Sequence, residues 1–466
     1  MRQKIFYSNK WHSSVSKKKF IRKSPISNTK TIYSDCNILD LKKIIPSARD
    51  GLILNKKLSL KKRSQYLYKI SRLITKNRFK LSKFESLETG KKIQDSLNEI
   101  DYSAKLWLSA SKLVLNKIDY KIQNTRKVYT KIFHEPVGIV GLIIPWNFPF
   151  IVLSERLPFI LASGNSAIIK PSEFSSKSIM YLLKLTQKIN LPQGLLNLIT
   201  GKKEIGSSIV KNKDINMISF TGSTSVGKAI MKECSNSIKR LSLELGGKNS
   251  MLFLKDAEIE RSINFLLSSF TVNAGQACVG ISKVFIPANI EKEFLNKFIK
   301  KLKSINFKKL YGPISTDKQY KNIKNLILRN KKFNKKIIFG KFKVSLNKFI
   351  EPLIYHNLPV GCEIDKMEIF GPILSINTYK SYDKVISIIN KTNYGLSSVV
   401  VGKNIEQATK IAQQINAGRI WINSAVINNY PNIPIGGFKE SGFGRECGIE
   451  GIKNYTELKS IIINEK

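Results

Sequence analysis

The sequence predicts an α/β protein built on two wound parallel sheets, and three observations carry that prediction. From about residue 137, short apolar runs alternate with amphipathic stretches in a β-α-β-α rhythm, the pattern of a parallel sheet wound with helices. From about residue 247 a second such series begins and continues to about 438. The length, 466 residues, exceeds one ordinary core and fits two or three domains.

The elements follow in chain order. "KIFYSNKWHSS" reads as an N-terminal strand and "KSPISNT" as a turn. The first thirty-four residues hold Lys, Arg and Ser without an acid, as a transit peptide would; the expectation is an ordinary strand instead. Residues 60–118 repeat apolar positions at helical spacing (Leu67, Ile70, Leu73, Ile74), with Gly90 as a stop and a second helix through "SLNEIDYSAKLWLSASKLV". Residues 121–136 switch to strand-like alternation. "VGIVGLIIPWNFPF" is then a buried strand closed by Pro-Trp-Asn-Phe-Pro, and "SERLPFILASGN" a helix ended by Gly164. "SAIIKPSE" is a strand, Ser176–Ile189 a helix, "GLLNLIT" a strand and "KEIGSSIVKN" a helix. "INMISFTGSTSVGKAIMKECS" is strand, turn and helix.

Charge and cysteine usage narrow the function classes. Lys plus Arg number 79 against 33 Asp plus Glu, a formal +46. Such a balance suits an anionic partner, yet the basic residues are spread along the chain and no nucleic-acid signature accompanies them. The expectation is a solvated surface, with neither nucleic acid nor membrane as partner. No apolar run approaches the roughly 18 residues of a membrane span. The five cysteines, Cys36, Cys234, Cys278, Cys362 and Cys447, are scattered without CxxC or metal spacing. They read as reduced thiols in a cytoplasmic protein that holds no metal.

Several short stretches carry chemistry. "FTVNAGQACVGISK" sets Cys278 among small residues behind Gly275-Gln276; close backbone approach and an open face suit a cysteine that must meet a substrate. "SLELGGKNS" holds Glu244 in an apolar run before Gly-Gly, either a buried structural partner or a base with a raised pKa. Asn147 in "PWNFPF" can donate to a developing oxyanion. "SFTGSTSVGKAI" places Gly222 and Gly227 where a strand opens a helix, a phosphate cradle or a plain tight turn. Lys170 and Glu173 end another strand and suit ribose hydroxyls, or form a surface pair. "KMEIFGPIL" sets Glu368 and Phe370 against a Gly-Pro turn.

In the order PWNFP, KPSE, FTGST, LELGGK, GQAC, EIFGP and PIGGFKESGFGRECG, these motifs span nearly the whole chain. The set resembles the NAD(P)-dependent aldehyde dehydrogenase superfamily. That resemblance implies a dinucleotide-binding domain (1–117 and 137–246), a catalytic domain (247–438) and a small β oligomerisation element with the C-terminal tail (118–136 and 439–466). It implies Cys278 as nucleophile, Asn147 with the Cys278 N–H as oxyanion donors, and Glu244 as the base for hydrolysis. The cofactor, NAD with NADP as the other possibility, is expected at Trp146, Lys170, Glu173, Gly222, Ser223, Glu368 and Phe370. The substrate pocket is expected at Phe148, Val152, Glu155 and Phe438, with Val152, Glu155 and Phe159 on one helical face. The tail "NYTELKSIIINEK" alternates apolar residues and is expected to join a neighbouring subunit's sheet in a homodimer or homotetramer. A CoA-acylating or phosphorylating relative would share the cysteine but need not keep Glu244. A nucleic-acid-binding protein rests on charge alone. Ser250 departs from the family's usual residue, and Ala277 and Val279 beside Cys278 specify no substrate.

Overall fold

Strands buried on both faces need helices above and below them, and this chain builds two such sheets. The structure, a computed structural model, describes residues 4–465. In the first sheet the parallel strands run Leu196–Leu198, Ser166–Lys170, Ile139–Ile143, Met217–Thr221 and Arg240–Glu244. The chain starts at Ile139–Ile143, adds two strands to one side, then returns to add two on the other. That reversal leaves a crevice at the carboxyl ends of Ile139–Ile143 and Met217–Thr221, where an open α/β sheet binds its ligand. The second sheet runs Ile337–Phe339, Leu353–His356, Ile373–Tyr379, Ile281–Pro287, Asn249–Phe253, Ser397–Val401 and Arg419–Ile422. All its pairings are parallel except the first.

The N-terminal segment differs from the single expected strand. Lys4–Tyr7 and Lys10–Ser13 form a hairpin against the first sheet, turned by Ser8 and Asn9 at φ 47° and 57°. Two consecutive left-handed residues make the tight turn whose twist matches the flanking strands. Helix Ile38–Lys57 was not legible, because Pro46 and Gly51 interrupt its pattern. Gly51 has a packing reason: a Cβ there would lie 2.1 Å from the Gly194 carbonyl.

A further expectation changes. "SERLPFILASGN" is not one helix: Pro149–Ser154 and Leu157–Ala162 are separated at Glu155 and Arg156. Pro158 is the second residue of the second helix and has no N–H to carry the ladder back to Ser154. The break leaves Val152 and Glu155 facing the cavity described below but sends Phe159 fully into the core. The tail pairs along one edge within its own chain and leaves its other edge unpaired among the described residues. Thr456–Asn464 runs antiparallel to Val128–Pro136 over nine residue pairs, with Tyr120–Gln123 on the other side. Upstream, Gly442–Phe443 extends the first sheet beside Arg240–Glu244.

Candidate active site

A cavity of about 990 Å³ opens between the carboxyl edge of the first sheet and the loops of the second. Cys278, Glu244 and Asn147 all line it, as do Trp146, Phe148, Val152, Glu155, Gly222, Ser223, Glu368 and Phe370.

Cys278 follows a turn in which Asn273, Ala274 and Gly275 have φ of 48°, 56° and 72°. Left-handed backbone costs a non-glycine residue about 1–2 kcal/mol, so the turn must be held by its surroundings. The Asn273 Nδ2 donates to the Asn147 carbonyl (3.1 Å) and the buried Gln276 Nε2 donates to the Asn273 carbonyl (2.9 Å). Gln276 Oε1 accepts from the Ser315 N–H at 2.9 Å. Asn249 Nδ2 then donates to the carbonyls of Cys278 (2.6 Å) and Gly280 (3.0 Å). Gly275 answers why a glycine stands here: a Cβ would lie 2.3 Å from the Gly371 carbonyl oxygen. Gly275→Ala should therefore lower stability by about 2–4 kcal/mol, backbone strain plus overpacking. Thermal unfolding measures this; an unchanged midpoint would show that the turn is looser than described.

Asn147 is positioned by the turn it supports. Its Nδ2 donates to the Gln276 carbonyl at 3.0 Å, which leaves its second N–H for another acceptor. Among the described residues the Cys278 N–H has no backbone acceptor. The two donors give the cavity the elements of an oxyanion hole.

Glu244 ends its strand, is buried, and has an Oε1 without a hydrogen-bond partner among the described residues. Burial pushes its carboxyl up to about 8; Arg156 opposes the shift, while Glu446 and Glu155 add to it. Burial likewise pushes the Cys278 thiol up to about 12, with Glu155, Glu244 and Glu368 adding and Arg156 opposing. Arg156 and Glu446 have no counterpart among the expected site residues, although "GRECG" was visible as part of a motif. Arg156 is fully buried, its Nη1 3.5 Å from Glu155 and its Nε 3.7 Å from Glu446. Glu446 accepts from the Ser242 hydroxyl at 2.7 Å and from the Tyr455 hydroxyl at 2.8 Å.

The nucleotide residues fit a dinucleotide on three observations. Gly222 is bare where a Cβ would lie 2.4 Å from the Phe220 ring. Ser223 precedes helix Thr224–Cys234 without capping it by its side chain, so the helix N–H groups stay available to an anion. Glu368 Oε1 accepts from the Gly247 N–H at 3.1 Å, and a Cβ at Gly246 would meet its Oε2 at 2.2 Å. Burial pushes the Glu368 carboxyl up to about 7. Phe370, at φ 54°, meets Trp146 edge-on with ring centroids 5.7 Å apart. Lys170 and Glu173 lie outside the cavity wall, further along the same sheet edge, Lys170 in register with Ile143.

Of the four expected pocket residues, Phe148, Val152 and Glu155 line the cavity and Phe438 does not. Phe438–Lys439 pairs with Tyr394–Gly395, which leaves the Phe438 ring exposed beneath the Arg445 guanidinium at 5.5 Å. Phe148 is held from behind by Lys91, whose Nζ sits 4.5 Å from the ring centroid and pairs with Glu99. Glu99 Oε1 in turn accepts from the Ile151 N–H at 3.0 Å. Among the described residues no cluster of His, Cys, Asp and Glu could hold a metal, and no helix is long and apolar enough to cross a membrane.

Comparison with known proteins agrees with this geometry. A family model described as the aldehyde dehydrogenase family matches residues 11–461. Human aldehyde dehydrogenase 1A1 is 33% identical over 485 residues, covering 99% of this chain and 94% of that one. The peroxisomal aminoaldehyde dehydrogenase 1 of Pisum sativum is 32% identical, covering 86% and 82%. The NAD+ complex of an aldehyde dehydrogenase from Bacillus cereus superposes with a TM-score of 0.96 at 30% identity, covering 100% of this chain and 97% of that one. With its cysteine, carboxylate and amide gathered on one cavity wall and this match along nearly its whole length, the chain belongs to the aldehyde dehydrogenase family.

Proposed function

We propose that this protein oxidises an aldehyde to a carboxylic acid with NAD, through a thiohemiacetal and then a thioester on Cys278. The observation that carries the reading is the convergence of Cys278, the spare Asn147 N–H and the unpartnered Glu244 oxygen on one cavity. Cys278 Sγ bonds to the carbonyl carbon while its proton passes to a nearby carboxylate, as the raised thiol requires. The carbonyl oxygen gains charge and is held by Asn147 Nδ2 and the Cys278 N–H. The bound nucleotide supplies the hydride acceptor. Glu244 then takes a proton from water, the hydroxyl adds to the thioester carbon, and the C–S bond breaks to release the acid. Glu244 has no such task in a CoA-acylating or phosphorylating enzyme, so its place on the wall favours hydrolysis. The test is a panel of aldehydes with each nucleotide, followed by absorbance of the reduced cofactor; a chain that oxidises none of them refutes the reading.

Glu173 supports NAD over NADP, because it can accept from ribose hydroxyls whereas a 2′-phosphate would meet a like charge. The expected result is a specificity constant at least tenfold higher with NAD, and one that favours NADP overturns it. Thr456–Asn464 ends its sheet with an edge unpaired among the described residues and exposes Leu458, Ile461 and Ile462 on its faces, which supports a homodimer or homotetramer in solution. Light scattering that gives the monomer mass would exclude this.

A further inference from the structure

A buried guanidinium is tied to the nucleophile turn from outside the cavity. Strand Lys19–Lys23 pairs antiparallel with Lys30–Ser34, and its Arg22 is 7% exposed. Among the described residues Arg22 donates to two carbonyls and a hydroxyl but to no carboxylate. Burial pulls it below the usual guanidinium value, with the charges of Glu88, Asp317 and Tyr33 opposing. A buried charge without a bonded counter-ion is costly, so the contacts that keep it there need a reason.

Part of the reason is a helix end. Nε (3.2 Å) and Nη2 of Arg22 donate to the Glu88 carbonyl, in the last turn of helix Arg78–Thr89. Carbonyls there have no partner within the helix, and the helix dipole favours a cation beside them. The Glu88 carboxylate is engaged separately, by the Tyr33 hydroxyl and by the Lys177 N–H at 2.8 Å.

The helix end does not account for the rest of the guanidinium. Nη2 also donates to the Ser315 carbonyl (3.1 Å) and the Ser315 hydroxyl oxygen (3.3 Å). Ser315 is buried in the connection between helices Phe307–Leu310 and Asp317–Arg329. That connection presses on the same helix end, since a Cβ at Gly312 would lie 1.8 Å from the Gly90 carbonyl oxygen. The Ser315 N–H is the donor that Gln276 Oε1 accepts at 2.9 Å. This contact orients the Gln276 amide: turned over, its NH2 would face the Ser315 N–H and its oxygen the Asn273 carbonyl. As held, Nε2 ties down left-handed Asn273, and the Gln276 carbonyl accepts from Asn147 Nδ2 at 3.0 Å. Ser315 and Gln276 thus connect Arg22 to Asn147, and all four are buried.

We propose that Arg22 is a positioning residue for the reaction, acting through Ser315 and Gln276 to fix the turn that carries Cys278 and the Asn147 amide. This rests on the dehydrogenase reading above. Arg22 does not line the cavity, so its effect reaches the reacting atoms only through that chain of contacts.

The test compares the wild type with Arg22→Met, Arg22→Lys, Gln276→Met and the Arg22→Met/Gln276→Met pair. Stopped-flow absorbance of the reduced cofactor, quenching of tryptophan fluorescence by NAD and thermal unfolding are the readouts. In Arg22→Met, kcat and the burst rate should both fall about tenfold or more, because an oxyanion donor displaced by a fraction of an ångström acts before hydride transfer. The Kd for NAD should stay within about twofold. Arg22→Lys keeps a donor for the Ser315 carbonyl and should lose less. The double variant should be within about twofold of the worse single one, because both act along one chain. A wild-type kcat in Arg22→Met, multiplied losses in the pair, or NAD affinity lost in step with kcat overturns the proposal. Should Arg22→Met not fold, Arg22→Lys decides: a kcat lowered at least about threefold at unchanged NAD affinity and midpoint supports the proposal, and a wild-type kcat overturns it. Alkylation of Cys278 by iodoacetamide, located by mass spectrometry, reads the turn without catalysis. Burial is the first cause of the raised thiol, so a loosened turn that admits water should speed alkylation at least about threefold in the Arg22 variant that folds. An unchanged rate overturns the proposal. A wild type that oxidises no aldehyde sinks the dehydrogenase reading instead, and alkylation then decides the role of Arg22.

Discussion

Cys278→Ala is expected to abolish aldehyde oxidation, by about 10⁴-fold or more, while leaving nucleotide binding nearly intact. In the proposed reaction the thiol forms the covalent bond on which both later steps depend, and no other described cysteine lines the cavity. The substitution leaves the turn in place. Asn249 holds Cys278 through its backbone carbonyl, and the Asn147 and Gln276 contacts use no atom of the thiol. Steady-state assays with quenching of tryptophan fluorescence by NAD separate the two readouts. Retention of even a few per cent of wild-type oxidation would remove Cys278 from the chemistry.

Glu244→Gln is expected to stall the enzyme after the first hydride transfer and to lower steady-state turnover by about 10²–10⁴-fold. Stopped-flow absorbance should show one reduced cofactor per site, then a very slow steady state. Loss of burst and turnover together, in a protein that still binds NAD, would place Glu244 earlier, at deprotonation of Cys278. The pH profile adds a second check. Burial raises the Glu244 carboxyl to about 8, so the fraction able to act as base grows as pH rises. Where hydrolysis limits the rate, wild-type turnover should climb through pH 8 and level off above it, and Glu244→Gln should lose that inflection. A wild-type profile flat from pH 6 to 9 would count against Glu244 as the base.

How far the site was legible depended on how local its signals are. Cys278, Glu244 and Asn147 each sit in a short stretch whose composition shows a tight turn or a strand end, and all three meet on the cavity. Phe438 was misplaced because its motif says nothing of the two-residue pairing with Tyr394–Gly395. Arg156 and Glu446 stand 290 positions apart in sequence, and only the packing of the C-terminal segment on the first sheet brings them to 3.7 Å. Lys91 looked like one of many surface lysines in a chain of +46, yet it is buried under Phe148 between two glutamates.

By itself the sequence determined the α/β class and the winding of two parallel sheets, and it singled out the candidate nucleophile and base. Those features follow from local periodicity and from residues whose chemistry is unusual where they stand. Tertiary structure decided which carboxylates share Arg156, where the helix after Pro149 breaks, and that the last strand pairs with Val128–Pro136 of its own chain. Burial and long-range pairing set those outcomes, because the cost of a desolvated charge depends on every group packed around it, however distant in the chain.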